Sequence, residues 1–106
     1  MNGALEGIRV LELASYVTGP FAALLLADLG ADVVKIEQPG QGDPFRGWGE
    51  KLYSATFCSL NRNKKSVTLD IRRDEGRDIF LKLAAGSDIV IENFRPGTME
   101  KRGLGY

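Results

Sequence analysis

The sequence contains no histidine and a single cysteine, Cys58. The first absence removes any imidazole base and any Ser–His or Cys–His nucleophile pair; the second removes intrachain disulfides and, with it, Cys/His zinc sites. Chemistry carried by this chain falls to carboxylates or to residues outside these 106, and no metal site is expected. Long apolar runs are missing too, none approaching the ~20 residues that span a bilayer. The start, Met1 to Gly7, lacks the basic flank and apolar stretch of a secretory signal, so a cytoplasmic setting away from membranes is expected.

Net charge is also lacking, fourteen basic side chains cancelling fourteen acidic ones. The balance is uneven along the chain. Residues 1–60 carry four Lys/Arg against seven Asp/Glu, and residues 61–106 carry ten against seven. The second part therefore favours phosphate or carboxylate ligands modestly, well short of the basic stripe that nucleic acid requires.

What is present is the alternation of an α/β domain. Four short runs read as buried parallel strands: Ile8 to Leu13, Asp32 to Glu37, Ser66 to Asp70 and Asp88 to Glu92. Their apolar cores are rich in β-branched residues and too short for helices. Each ends at or beside an acid: Glu12, Glu37, Asp70 and Glu92. Between the first two, Pro20 to Gly30 has proline near its start and glycine at its end, and its nearly unbroken apolarity predicts a buried helix. Asp74 to Gly86 opens with acids and closes at glycine, with Ile79, Phe80 and Leu83 on one face, so it reads as an amphipathic helix packed on the sheet.

Two β-α-β units imply right-handed crossovers and a Rossmann-like three-layer arrangement with a mainly parallel sheet. Between them runs a Gly- and Pro-rich excursion, Gln38 to Glu50, whose Phe45, Arg46 and Trp48 argue for an ordered loop. A core is feasible at this length, since a domain of this size buries roughly two thirds of its unfolded surface.

Ligands in such sheets bind beyond the carboxyl ends of the strands. After the first strand, Ser15 and Thr18 offer hydroxyls at the start of a helix whose N-H groups attract anions, or they simply make a turn. A dinucleotide reading, with Glu37 as ribose acceptor, lacks its G-x-G-x-x-G spacing, because Gly19 stands alone before Pro20. Asn61 to Lys65 and Ile71 to Arg73 flank the third strand at opposite ends, so only Arg72 and Arg73 are placed to reach a carboxyl-edge pocket; Lys64 and Lys65 read as a solvated strand entry. After the fourth strand, Asn93, Phe94 and Arg95 put an amide, an aromatic face and a guanidinium together, followed by a short helix opened by Pro96 with Lys101 in its last turn. That combination suits a ligand with a heteroaromatic base and phosphates, or else a capping turn with Phe94 in the core. Cys58 and Trp48 read as packing residues.

The same residues carry a resemblance. Leu5 to Glu12, Gly19-Pro20, Leu29 to Glu37, Gly42-Asp43-Pro44, Asn61 to Ser66, Leu69-Asp70 and Glu92 to Gly97 follow one another as in the N-terminal quarter of a family III CoA-transferase. That group includes formyl-CoA and carnitine CoA-transferases and the related α-methylacyl-CoA racemases. The likeness covers nearly all of the chain, and its Asn-Arg-Asn-Lys-Lys and Glu-Asn-Phe-Arg-Pro-Gly versions are more similar to transferases than to racemases.

The resemblance implies that residues 1–106 are the N-terminal part of a Rossmann-like domain that binds coenzyme A, the rest of the family's chain being absent. It places CoA contacts, several through backbone atoms, at Val17, Thr18, Gln38, Leu69, Asp70, Ile71, Arg72, Asn93, Phe94, Arg95 and Lys101. Transferases of this kind often have arginine where Gln38 stands, and glutamine cannot supply that charge. The implied reaction moves CoA between an acyl-CoA and a carboxylic acid through an aspartyl anhydride and thioester. That aspartate lies beyond position 106 in such proteins, so no catalytic residue is assigned and the segment alone is expected to be inactive. An interlocked homodimer is implied for the whole protein, and a truncated sheet with open edges is expected to self-associate. A non-catalytic nucleotide-binding or assembly module is the alternative from another class.

Overall fold

A computed structural model describes residues 3–48 and 54–105; the Trp48 side chain lies outside the described residues, and with it the expectation that Trp48 packs. The elements follow one another as β1 (Arg9–Leu13), α1 (Thr18–Asp28), β2 (Asp32–Glu37), a 3-10 turn (Pro44–Trp48), α2 (Ala55–Asn61), β3 (Lys65–Thr68), α3 (Asp74–Ala85), β4 (Ile89–Glu92) and α4 (Thr98–Lys101). The four strands form one all-parallel sheet in the order β3-β2-β1-β4. The fold is α/β, as the alternating pattern requires.

Because side chains alternate along a strand, each strand feeds two cores. Val10 and Val33 pack with Ala23, Ala27 and Ala31 on the α1 side, joined by Ile91. Leu11, Leu13 and Ile36 pack with Phe80 of α3 and with Leu104 on the other side. Helices thus cover both faces of the sheet. The chain winds outward from β1 to β2 to β3, then jumps back past β1 to place β4. The order therefore reverses between β1 and β4, and a crevice opens at such a switch point beyond the carboxyl ends.

Three expectations about burial need correction. Helix α1 is not buried all round: Phe21 and Leu25, with Leu29 just past its end, are 48%, 49% and 50% exposed, while Ala23 and Ala27 pack on the sheet and Leu24 is buried. A helix laid on one sheet face hides only one stripe, however apolar its sequence. The helix also begins at Thr18, two residues before Pro20, which is accommodated because first-turn N-H groups have no intrahelical partner. Strands β3 and β4 are mostly exposed, in contrast to β1 and β2, because they form the two sheet edges. In α3, Phe80 is buried but Ile79 points outward.

Helix α2 has no counterpart in the sequence reading. Its residues, Ala-Thr-Phe-Cys-Ser-Leu-Asn, include several weak helix formers. It starts because the Ser54 hydroxyl caps it, accepting the Phe57 N-H at 3.2 Å, and Phe57 anchors it with its ring 3.8 Å from the Arg46 guanidinium carbon. Cys58, on the same helix, is exposed, so its assignment as a packing residue does not hold.

Candidate functional site

A cavity of about 260 Å³ lies at the carboxyl ends of the strands. Leu13, Ala14 and Ser15 enter it after β1, Gln38 and the 42–44 loop after β2, Leu69 to Arg72 after β3, and Phe94 after β4. Helix α4 adds Thr98 and, just past its end, Arg102.

The Leu69–Arg72 wall is set by close packing. Gly76, in the first turn of α3, approaches so near that an added Cβ would lie 1.9 Å from the Asp70 carbonyl oxygen. Only glycine allows that contact. Asp70 and Arg72 then pair along the wall, Arg72 Nε donating to Asp70 Oδ1 at 3.0 Å. The Arg72 hydrogen bond holds the Asp70 carboxyl below the usual range, and Asp70 in turn raises Arg72.

Behind the cavity sits a buried ion cluster. Glu12 and Lys35 are partners in the β1–β2 register, and the same alternation that points Val10 and Val33 toward α1 points them inward as well. Lys35 Nζ reaches Glu12 Oε2 at 2.7 Å and Asp43 Oδ2 at 2.9 Å, and donates to the Ala14 carbonyl at 3.0 Å. Lys64 Nζ lies 2.7 Å from Glu12 Oε1 and donates to the Pro20 carbonyl and Asn61 Oδ1. Glu37 accepts Arg46 Nε and Nη2, both at 2.8 Å, the Asp43 N-H at 2.9 Å, and the Ser66 hydroxyl. Three carboxylates and three cations cancel. Glu12 Oε1 and Asp43 Oδ2 accept no well-aligned hydrogen bond and are satisfied by the ammonium facing each of them.

This cluster lashes the 38–46 loop to the sheet and so fixes one side of the cavity. Burial by itself would raise the Glu37 carboxyl, but the bonds from Arg46, Ser66 and the Asp43 N-H outweigh it and bring Glu37 to about 2. Burial lowers the Lys64 ammonium, against the opposing pull of Glu12. Lys64 is thus no solvated strand entry; its side chain is 2% exposed. Lys65 is exposed as expected, near Asp32 at 3.1 Å. Glu37 is committed to the loop, which removes the ribose acceptor of a dinucleotide reading.

Of the residues expected to contact a ligand, the structure brings Gln38, Leu69, Asp70, Ile71, Arg72 and Phe94 to the cavity wall. Phe94 also packs on the α3-side core, so the core alternative and the wall position coincide. Val17, Thr18, Asn93, Arg95 and Lys101 do not line it. Arg73 does not line it either. The Asn93 amide is taken up by the β1–α1 turn, accepting the Ser15 N-H at 3.0 Å and donating to the Ser15 carbonyl at 2.8 Å. Arg102 was not singled out in the sequence, where it is one of several basic residues near the chain end. Its place one residue past α4 is what turns it to the cavity, and among the described residues its side chain has no ion pair.

The sequence model described as CoA-transferase family III matches residues 5–106. The chain belongs to CoA-transferase family III. Within it, the chain is 50% identical over 105 residues to the succinyl-CoA–D-citramalate CoA-transferase of Chloroflexus aurantiacus, covering 96% of this chain and 26% of that protein. It is 47% identical to the mouse succinyl-CoA:glutarate CoA-transferase, covering 96% and 24%. A CAIB/BAIF family protein from Brucella suis superposes with a TM-score of 0.93 at 43% identity, covering 100% of this chain and 30% of that one. The chain thus spans about a quarter of the length of the curated relatives it matches. Among the described residues, no helix is long and apolar enough to cross a membrane, and no group of three His, Cys, Asp or Glu is placed to hold a metal.

Proposed function

We propose that residues 1–106 are the N-terminal part of a CoA-binding domain in a transferase that moves CoA between an acyl-CoA and a carboxylic acid. The observation that carries this reading is the cavity itself: in a chain of CoA-transferase family III, the Leu69–Arg72 wall, Phe94 and Arg102 converge at the carboxyl ends of the strands. Phe94 offers a face for the adenine ring, and the cations Arg72 and Arg102 suit phosphates. Gln38 adds to the cavity wall, Val17, Thr18, Arg95 and Lys101 extend the contact beyond the cavity, and Asn93 takes part through its backbone. The α-methylacyl-CoA racemase alternative is weaker, since the relatives above are named as CoA-transferases.

In the reaction we propose, a carboxylate of the enzyme attacks the thioester carbonyl and expels CoA as thiolate, leaving a mixed anhydride. The thiolate then attacks the enzyme's own carbonyl of that anhydride, releasing the first acid and leaving an enzyme–CoA thioester. The acceptor carboxylate attacks this thioester and expels the thiolate, leaving a second mixed anhydride, and the thiolate then attacks the acceptor's acyl carbon and releases the enzyme carboxylate. The nucleophile belongs to the part of the protein outside these residues, so the segment alone is inactive. A homodimer in the cytoplasm completes the proposal. Incubating the full-length protein with acyl-CoA and hydroxylamine tests it. The expected result is a trapped enzyme hydroxamate together with CoA exchange into a carboxylic acid; neither one, across a broad panel of acids, contradicts it.

A further inference from the structure

Two non-glycine residues among those described have a positive φ, Tyr16 and Asn63, each at 65°. Asparagine visits this left-handed region readily, whereas for tyrosine the Cβ crowds the carbonyl oxygen. Strain of this kind persists only where surrounding groups over-determine the backbone, and it concentrates at functional sites. Tyr16 sits between Ser15, on the cavity wall, and the Val17–Thr18 start of α1, at the point where the strand order reverses.

Two side chains from distant parts of the chain grip this turn. From the end of β4, Asn93 Oδ1 accepts the Ser15 N-H, and Nδ2 donates to the Ser15 carbonyl at 2.8 Å and to Thr18 Oγ1 at 3.3 Å. The turn is thus tied on both sides of Tyr16 by one amide. From the 42–44 loop, Asp43 Oδ1 accepts the Tyr16 N-H at 3.2 Å and the Phe45 N-H at 2.9 Å, while its other oxygen faces Lys35. Gly19 makes room for the grip. An added Cβ there would lie 2.3 Å from Ala14 Cβ and 3.3 Å from Asn93 Cγ.

We infer that Asn93 and Asp43 are positioning residues, which hold Tyr16 in its left-handed conformation and so fix Ser15, the residue of this turn that lines the ligand cavity, in place. The inference rests on the CoA reading proposed above for its ligand. Asn93 acts through the turn, with its side chain bound to the protein and turned away from any direct role with CoA. The grip acts on the cavity through Ser15, whose backbone N-H and carbonyl are both bound by the Asn93 amide.

Rescue separates this role from a ligand contact. In the full-length protein, Asn93→Ala is expected to weaken CoA binding about tenfold or more by calorimetry, since small misplacements of a positioned group carry large costs. Adding Tyr16→Gly to that variant is expected to recover about fivefold, because glycine adopts the left-handed conformation without the side-chain penalty. A double variant that binds no better than Asn93→Ala would overturn the inference. Hydrogen–deuterium exchange gives a second, ligand-free reading: the peptide covering residues 14–19 should exchange about tenfold faster in Asn93→Ala and in Asp43→Ala. Unchanged exchange overturns the grip itself. Faster exchange with no CoA binding by the unsubstituted protein would instead overturn the CoA reading and leave the grip standing.

Discussion

Lys35 Nζ lies 2.7 Å from Glu12 Oε2, and the two residues face each other directly across the β1–β2 ladder with their side chains almost wholly buried. Glu12 also holds Lys64, the residue just before β3, through its second oxygen. One carboxylate therefore joins the three adjacent strands at their α1 face. Removing its charge leaves the buried Lys64 ammonium without its carboxylate and Lys35 with Asp43 alone, and breaking a buried pair in this way typically costs about 3–5 kcal/mol. Glu12→Gln is accordingly expected to lower the unfolding free energy by about 3 kcal/mol or more, read as a shift in the urea midpoint. Lys65→Ala, which breaks the exposed Lys65–Asp32 pair, should change it by less than about 1 kcal/mol.

Glu37 makes stability depend on pH in a defined direction. Its carboxyl falls from an ordinary value of 4.5 to about 2 in the folded protein, so the unfolded chain binds the proton more readily between those values. Its contribution is fully present above pH 4.5 and is lost as pH falls toward 2. The shift corresponds to about 3 kcal/mol. Glu37→Gln should therefore be less stable than the parent protein at pH 7, with the gap narrowing steadily below pH 4.5 in urea titrations. A gap independent of pH would contradict the ionised Glu37–Arg46–Ser66 arrangement.

The α/β alternation was legible because β1 and β2 are short β-branched runs and α3 has charged ends of the correct sign for its dipole. The edge position of β3 and β4 was not, since exposure depends on strand order rather than on local composition. The ion cluster was half visible: acids recur at strand ends, and Glu12 stands two residues after Val10, on the same face. What sequence could not supply was Lys64, which enters by the register of β3 on β2. Similarly, the wall of Leu69 to Arg72 and Phe94 was anticipated, while Arg102 depends on how α4 turns. The commitment of the Asn93 amide to Ser15 depends on β1 and β4 being neighbours, a consequence of the jump in topology.

Gly76 fixes the wall by its lack of a side chain. Gly76→Ala places a Cβ within 1.9 Å of the Asp70 carbonyl oxygen, a rigid backbone atom that cannot swing aside. The expected cost is about 1–3 kcal/mol of stability, seen as a lower melting temperature. Because the displaced residue is Asp70 itself, CoA affinity should fall along with it.

Arg102 and Lys101 are neighbours with different surroundings. Arg102 lines the cavity half-buried, and Lys101 is exposed outside it. A charge-assisted bond to phosphate contributes about 1.5–3 kcal/mol, so Arg102→Ala should weaken CoA binding about tenfold or more. Lys101→Ala should weaken it less, with an effect that fades as salt screens the exposed charge. Calorimetry at two salt concentrations distinguishes the pair.

Calorimetric titration of the full-length protein with coenzyme A, comparing the unsubstituted chain with Phe94→Ala and Arg72→Ala, decides whether the cavity is a coenzyme A site. Saturable binding is expected, one CoA per site, weakened about tenfold by each substitution through loss of the adenine face and of the wall cation. Absence of binding, or binding that neither substitution alters, would contradict a coenzyme A site at the carboxyl ends of these four strands.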